Sequence, residues 1–433
     1  MQGHNSVTRK EARMQRLLFE LRNRLHAPSR NPRTAVVIGR LLAIAFLLCF
    51  GTGIYSHFIQ EPLPWMSFAV RPIWLYQVTQ GVHIVAGILC FPLITAKLYA
   101  VYPELFQTPP IKGFASLLER ASIALFVAAS LVQITIGLLN TYQWYALFPF
   151  PFRQTHFALS FVIIGSLAIH IAIKLPIIAK YWRKADAYDA SGALIPLERD
   201  GGGEFVPVAG EIQPVHGITG KVFKWIDTSP EQQKPQASRR GFFVIVGIAS
   251  AALVTLTAGQ SFKIFDATNV FGPRKNGIGP AGLPVNRTAK KAAVVEKAMS
   301  PDWKLTVING SAAKTYSYAE LQAMPQFEVE LPIACVEGWS QMATWKGPRL
   351  RDLVDSVDGE AIGTVKATSL EEGSLYAISE MGPEFARDEL TLVALEVNGE
   401  TLDLDHGYPA RLIAPARPGV LQTKWLSSLE VLA

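Results

Sequence analysis

The sequence predicts a multi-domain chain: an α-helical transmembrane bundle of four spans plus a fifth tethering span, followed by an α+β domain. Three observations carry this. Of 433 residues, 49% are hydrophobic and only 18% charged, where a soluble chain has nearer a quarter charged. Before residue 263 the apolar residues gather in runs long enough to cross a bilayer. From Trp303 onward short strands, turn residues and two helix-like pieces alternate, the mixture of an α+β domain.

Residues 1–34 form a basic tail, with Arg9, Lys10, Arg13, Arg16, Arg22, Arg24, Arg30 and Arg33. Leu17, Leu18, Leu21 and Leu25 mark a helical stripe. It suits an amphipathic helix on an anionic membrane surface or, more simply, a cytoplasmic tail that fixes orientation by charge. Residues 35–184 hold four spans: Ala35 to His57, Ile73 to Val101, Ala121 to Tyr142 and Phe157 to Ala179. Aromatic, Pro-rich turns at Glu61 to Trp65 and Trp144 to Pro149 suit one membrane interface. Lys97, Lys112, Arg120, Lys174, Lys180, Arg183 and Lys184 gather at the other, which puts the N-terminus inside. The net charge of +6 is thus explained by membrane flanks, and no nucleic-acid partner is expected.

Residues 185–238 read as a cytoplasmic linker, its triple glycine Gly201 to Gly203 as flexible chain. Residues 239–262 are the fifth span, its apolar run Val244 to Phe262. Its flank Ser238-Arg239-Arg240-Gly241-Phe242-Phe243 resembles a twin-arginine export signal; the plain alternative is an inside-positive flank. Either way residues 263–433 fall outside the cytoplasm, on the periplasmic side of a multi-pass cell-membrane protein. In them strands are expected at Leu305 to Ile308, Leu375 to Ile378, Leu392 to Val397, Arg411 to Ala414 and Leu426 to Leu432. Hairpin turns are expected at Asn309-Gly310 and Asn398-Gly399, and helices near Tyr318 to Ala323 and Arg349 to Val354.

Of 3 cysteines, Cys49 and Cys90 lie in apolar spans. Cys335 follows a strand-like alternation (Phe327, Val329, Leu331) and precedes a Gly-Trp-Ser turn. A lone thiol at such a corner is either a small buried apolar residue or a reactive or metal-binding thiolate. The neighbourhood decides. Cys335-Val336-Glu337-Gly338-Trp339-Ser340, then Trp345 to Leu350 and Asp352-Leu353, resembles the molybdopterin oxidoreductases of the sulfite-oxidase fold, from about Leu283 to Ala433.

The resemblance implies that Cys335 is the molybdenum ligand, a soft thiolate for a metal that changes oxidation state. It further implies molybdopterin contacts from Asn286 and Arg287, from His406 and Arg411, and from Lys424. Charge-assisted donors suit the cofactor phosphate. Sulfite-oxidising members carry basic residues close after this cysteine, whereas this chain has none until Lys346. Cys335-Val336-Glu337 is more similar to the periplasmic methionine-sulfoxide-reductase branch. Glu337, counted with Cys335 in the catalytic site, would repel sulfite.

The spans also contain His57, His83, His156 and His170, and ionisable groups at bilayer depth mark function by default. His156 and His170 share one helix face about 21 Å apart, which fits two stacked haems. The bundle resembles the b-type cytochromes of formate-dehydrogenase and hydrogenase membrane subunits, which implies haem b, one or two. An outer haem on His83 and His156 is expected. For His170 the partner stays open, and Arg40 and Lys97 stand where an inner histidine would be; His57 is open between ligand, quinone contact and neither. The whole reads as a membrane-bound molybdenum oxidoreductase in contact with lipid. It exchanges electrons with the quinone pool and reduces a small-molecule or protein-bound S-oxide or N-oxide. The rivals are a sulfite-dehydrogenase-like oxidation and a non-catalytic membrane sensor or scaffold.

Overall fold

The computed structural model describes residues 27–106, 113–191, 193–195, 221, 238–359 and 363–432. The leucine stripe of the basic tail and the triple glycine of the linker lie outside them. Five long helices precede the strands: α1 (Pro32–Gln60), α2 (Leu75–Val101), α3 (Phe114–Thr141), α4 (Phe152–Lys180) and α5 (Arg239–Thr257). By length and composition all five are apolar enough to cross a membrane. Most begin earlier than the hydropathy suggests, because capping chemistry rather than apolarity sets a helix start. At α1 the Asn31 side chain accepts from the Thr34 amide at 2.8 Å, and Pro32 occupies the first turn, where no amide is needed.

The chain clusters into two compact units. The first comprises residues 1–47, 88–136 and 153–253; the second comprises 48–87, 137–152 and 254–433. In the first unit Ile38, Leu42, Phe46, Leu93, Ile94, Phe126 and Phe242 are buried together. Phe46 meets Phe126 edge-on at 5.2 Å and Tyr99 stacks on Phe242 at 5.1 Å. The outward side of these helices is apolar too: Leu41, Ile44, Leu47, Leu125, Leu175 and Ile248 stay exposed. Several charged groups within these helices are matched. Lys97 donates to the Ala35 carbonyl at 2.6 Å, Lys174 pairs with Glu119 at 2.5 Å, and Arg40 lies 4.5 Å over the Trp182 ring.

The second unit is α+β. Its strands are β1 (Lys304–Asn309), β2 (Ala312–Ser317), β3 (Phe327–Ala334), β4 (Ser340–Gly347), β5 (Thr364–Ser369), β6 (Ile378–Met381), β7 (Leu392–Ala394), β8 (Glu396–Val397), β9 (Glu400–Thr401), β10 (Arg411–Ile413) and β11 (Leu426–Leu432). A five-stranded sheet runs β2-β1-β11-β5-β6, a four-stranded sheet β3-β4-β8-β9, and β10 pairs β7. Helix α6 (Tyr318–Ala323) opens with a capping box, in which Ser317 and Glu320 satisfy each other's backbone amides. Helix α7 (Leu350–Asp355) buries Leu350, Leu353 and Val354. Their core partners include Trp303, Leu305, Leu412 and Leu429, together with Ile59 and Tyr76 from the ends of α1 and α2.

Three strand or turn expectations shift. The run Leu375 to Ile378 is a turn until Ile378, because the Ser369 amide already takes the Ala377 carbonyl at 2.7 Å. The run Leu392 to Val397 breaks at Leu395, since β7 pairs β10 while β8 pairs β4. In the first hairpin Asn309 pairs Ala312, so the loop is Gly310-Ser311. Asn398-Gly399 does form the other loop, both residues at positive φ (53° and 81°), as a two-residue hairpin of the primed type demands.

Gly347 closes β4 against β7. A Cβ there would stand 2.1 Å from the Val393 carbonyl oxygen, a backbone atom that cannot step aside. Gly347→Ala is therefore expected to destabilise the second unit by about 1–3 kcal/mol or more, read as a lower melting temperature of the purified protein.

Candidate active site

The site is built on the β3–β4 hairpin. Its register runs from Phe327 opposite Gly347 to Ala334 opposite Ser340, which leaves Cys335 to Trp339 as the loop. The Cys335 amide donates to the Trp339 carbonyl at 2.8 Å, and the Gly338 amide to the Cys335 carbonyl at 3.0 Å. Gly338 sits at φ 93°, a conformation that favours glycine. The loop thus turns Cys335 inward, where it is 1% exposed. The Asn286 amide nitrogen lies 3.8 Å from its sulfur. Burial, then the nearby Glu337, pushes the Cys335 thiol far above the ordinary thiol range, while Arg274 and Lys424 act the other way.

Polar side chains hold the loop from several segments. Gln80 donates to the Val336 carbonyl at 3.2 Å and Gln77 to the Ser340 hydroxyl at 3.1 Å. Gln260 donates to the Glu337 carbonyl at 3.4 Å and the Ser261 hydroxyl to the Gly338 carbonyl. Glu337 itself is buried. Its Oε1 accepts from Gln143 at 2.7 Å, and Arg274 stands 3.7 Å from its Oε2. Burial pushes the Glu337 carboxyl up, and Gln143 and Arg274 offset part of that.

The residues expected to meet the cofactor are linked by contacts. Lys424 donates to the Arg287 carbonyl at 2.7 Å and the Asp405 carbonyl at 2.8 Å. Burial and Arg411 bring its ammonium down to about 7. His406 Nε2 donates to the Pro280 carbonyl at 2.9 Å, and burial lowers this imidazole to about 4, so it is neutral. Arg411 donates to the His406 carbonyl at 3.0 Å and the Gln422 carbonyl at 3.3 Å, lies 5.0 Å over Trp345, and is brought down to about 9 by burial. The Arg287 guanidinium turns to Glu371, at 2.9 Å from Nε. So Asn286 lies against the Cys335 sulfur, and Glu337 and Lys424 are near enough to act on its charge, while the side chains of Arg287, His406, Arg411 and Lys424 are all engaged by the protein itself.

Several buried polar atoms here have no hydrogen-bond partner among the described residues: Glu337 Oε2, Trp339 Nε1, Arg411 Nε and Gln422 Oε1. Leaving such atoms unpaired is costly. Two of them, Glu337 Oε2 and Trp339 Nε1, belong to the loop of Cys335, and with the buried thiol they are atoms that a polar ligand bound through Cys335 would satisfy. Gln143, Gln80 and Arg274 are not among the residues that the sequence singles out. They are polar residues of helix ends and connections, with no pattern that points to a site 60 or more residues away.

The histidines occupy their helices as follows. His83 Nδ1 lies 2.9 Å from the Cys49 carbonyl and 3.3 Å from the Thr52 hydroxyl. On α4 the His156 carbonyl accepts from Gln133 at 2.9 Å. His170 Nδ1 is buried with no hydrogen-bond partner among the described residues. His57 lies 3.6 Å from Glu61, one turn on.

Residues 292–433 match the family described as "Oxidoreductase molybdopterin binding domain", so that part of the chain is a molybdopterin-binding oxidoreductase domain, and it is similar to sulfite oxidases. Sulfite oxidase of Arabidopsis thaliana is 25% identical over 194 residues, 36% of this chain and 48% of that protein. The uncharacterized oxidoreductase YuiH of Bacillus subtilis is 29% identical over 115 residues, 26% of this chain and 57% of that protein. The putative protein-methionine-sulfoxide reductase subunit YedZ1 of Azospira oryzae is 28% identical over 116 residues, 26% of this chain and 42% of that protein. The chain spans about half the length of these curated relatives.

Proposed function

We propose that the chain is a membrane-bound molybdenum oxidoreductase that moves electrons between the quinone pool and an extracytoplasmic substrate through haem b, reducing an S-oxide or N-oxide. The observation that carries this reading is the buried Cys335 thiol with Asn286, Glu337 and Lys424 around it. Molybdopterin, when bound, supplies a two-electron oxygen-atom transfer centre. Cys335 would contribute the thiolate with Asn286 beside its sulfur, and the unpaired Trp339 Nε1, with Lys424 and His406, would supply polar contacts to the cofactor. Glu337 and Arg274 offset each other's charge, and Lys346, the nearest base after Cys335 in sequence, is bound to Glu396 at 3.0 Å. A neutral, dipolar oxide suits such a site better than an anion such as sulfite.

Five apolar helices with exposed apolar flanks support the membrane reading. The haem reading draws support from the imidazoles. A His83 Nδ1–H donating to the Cys49 carbonyl places the lone pair on Nε2, the usual arrangement of a metal-bound histidine. The buried Nδ1 of His170 suits an added ligand as well. Lipid, quinol and a small or protein-bound oxide are then the partners. One observation favours the opposite direction, sulfite-dehydrogenase-like oxidation: Arg274, a cation, stands within the site. The purified protein decides between them. Methionine sulfoxide should oxidise a reduced viologen in its presence, whereas sulfite should fail to reduce ferricyanide; the reverse pattern would select the dehydrogenase.

The same reading places the N-terminus in the cytoplasm, the linker 185–238 beside it, and residues 263–433 outside, exported through Arg239-Arg240. Arg239 also bonds the Tyr188 hydroxyl and lies 5.2 Å over its ring, whereas Arg240 is exposed. Arg240→Lys alone is therefore the clean test, with Arg239→Lys/Arg240→Lys beside it. A receptor that reads arginines should leave the domain in the cytoplasm. Protease added to intact cells should then no longer cut it. Cutting as in the unaltered protein would leave the simple charge flank as the account.

A further inference from the structure

We propose that Gln143, from the connection between α3 and α4, is a positioning residue of the molybdenum site. Its amide holds Glu337 and Asn286 in place beside Cys335. The inference rests on molybdopterin being bound through Cys335, as above.

The end of α3 is a Schellman turn. The Trp144 amide donates back to the Leu139 carbonyl at 3.1 Å, and the Gln143 amide to the Asn140 carbonyl at 3.1 Å. In this motif the residue at the position of Gln143 adopts the left-handed conformation and is usually glycine, sometimes asparagine. Gln143 is at φ 59°, which a longer side chain seldom adopts. The turn itself gains nothing from a glutamine, so the side chain must be there for what it touches.

What it touches is the site. Gln143 Nε2 donates to the Asn286 carbonyl at 2.7 Å and to Glu337 Oε1 at 2.7 Å, using both hydrogens of one amide. Asn286 in turn presents its own side-chain nitrogen 3.8 Å from the Cys335 sulfur. One amide from a helix–helix connection thereby fixes two groups that flank the proposed metal ligand. The same connection supports the loop a second time: Tyr145 donates to Asn140 Oδ1 at 2.9 Å, and the Asn140 amide lies 3.5 Å from the Val336 carbonyl. Strain of this kind persists where function needs the geometry.

The motif supplies a test that separates positioning from folding. Gln143→Gly removes the amide and gives the turn its preferred residue, so the helix end should be at least as stable. Gln143→Asn also tolerates the left-handed backbone, but its amide is one methylene short of Glu337. Tyr142→Phe is the control, since the Tyr142 hydroxyl bonds the Phe271 carbonyl in the same connection without touching Asn286 or Glu337. The intact protein is purified with its cofactor, and molybdenum content, melting temperature and the Mo(V) electron paramagnetic resonance spectrum are measured. Turnover is assayed with reduced viologen and methionine sulfoxide, which bypasses any haem. Both Gln143 variants should keep molybdenum, melt only slightly lower because Glu337 Oε1 and the Asn286 carbonyl lose a donor, show an altered Mo(V) spectrum, and lose about 100-fold in kcat, the scale of a small misplacement. Tyr142→Phe should match the unaltered protein throughout. A Mo(V) spectrum and kcat in both Gln143 variants equal to those of the unaltered protein would overturn the proposal, as would the same change in Tyr142→Phe. Absence of molybdenum from the unaltered protein would instead overturn the cofactor reading beneath it.

Discussion

Cys335→Ser is expected to reduce turnover to background while the protein stays folded. The change is small in volume, and the site already offers the Asn286 amide as a partner for a hydroxyl. The stability cost should be about 1–3 kcal/mol at most, that of an imperfectly paired buried hydroxyl. The chemical cost is of another order. An alkoxide is a harder and poorer partner than a thiolate for this metal, and no other cysteine belongs to the strand-rich part of the chain. Circular dichroism should match the unaltered protein and melting should remain cooperative, lowered by no more than that cost implies, while oxide reduction disappears. Full turnover by the serine variant would remove the basis of the assignment.

His83→Ala and His156→Ala are each expected to lose haem absorbance while molybdenum content is unchanged. The imidazole of His83 is engaged with Cys49 and Thr52, not with the Cys335 loop, so its removal leaves the contacts to that loop intact. Gln80, one turn earlier on the same helix, carries the link to Val336 and is untouched. Reduced-minus-oxidised spectra of membranes, with metal analysis of the same samples, read both quantities. If both variants keep the spectrum of the unaltered protein, these imidazoles do not hold the haem.

Elements that carry their own local chemistry were legible in the sequence. Helix α6 announces itself by Ser317 and Glu320, β11 by its apolar alternation, and the last hairpin by Asn398-Gly399. Cys335 was legible because its strand, loop and turn are contiguous. Elements fixed by distant partners were not. Leu395 leaves its strand because its amide is taken by the Lys346 carbonyl at 2.9 Å, and nothing near Leu395 says so. The turn at Gly310-Ser311 moves one residue on because Asn309 is buried in β1, its amide toward the Val357 carbonyl at 3.4 Å. The site divides in the same way. Asn286, whose side chain lies 3.8 Å from the Cys335 sulfur, comes from a segment that the sequence reading names. Gln143, Gln80 and Arg274 lie in connections and helix ends, where a glutamine or arginine looks like any interfacial polar residue. Only the folded chain brings them to Glu337 and Val336.

The central claim is that Cys335 holds molybdenum within a molybdopterin site. The most direct measurement is metal and pterin analysis of the intact protein, purified in detergent, beside its Cys335→Ser variant. The account predicts one molybdenum and one molybdopterin per chain in the unaltered protein, with an X-ray absorption spectrum that loses one sulfur neighbour of the metal in the variant. Protein with Cys335 intact and no molybdenum, or an identical sulfur shell in both forms, would contradict it.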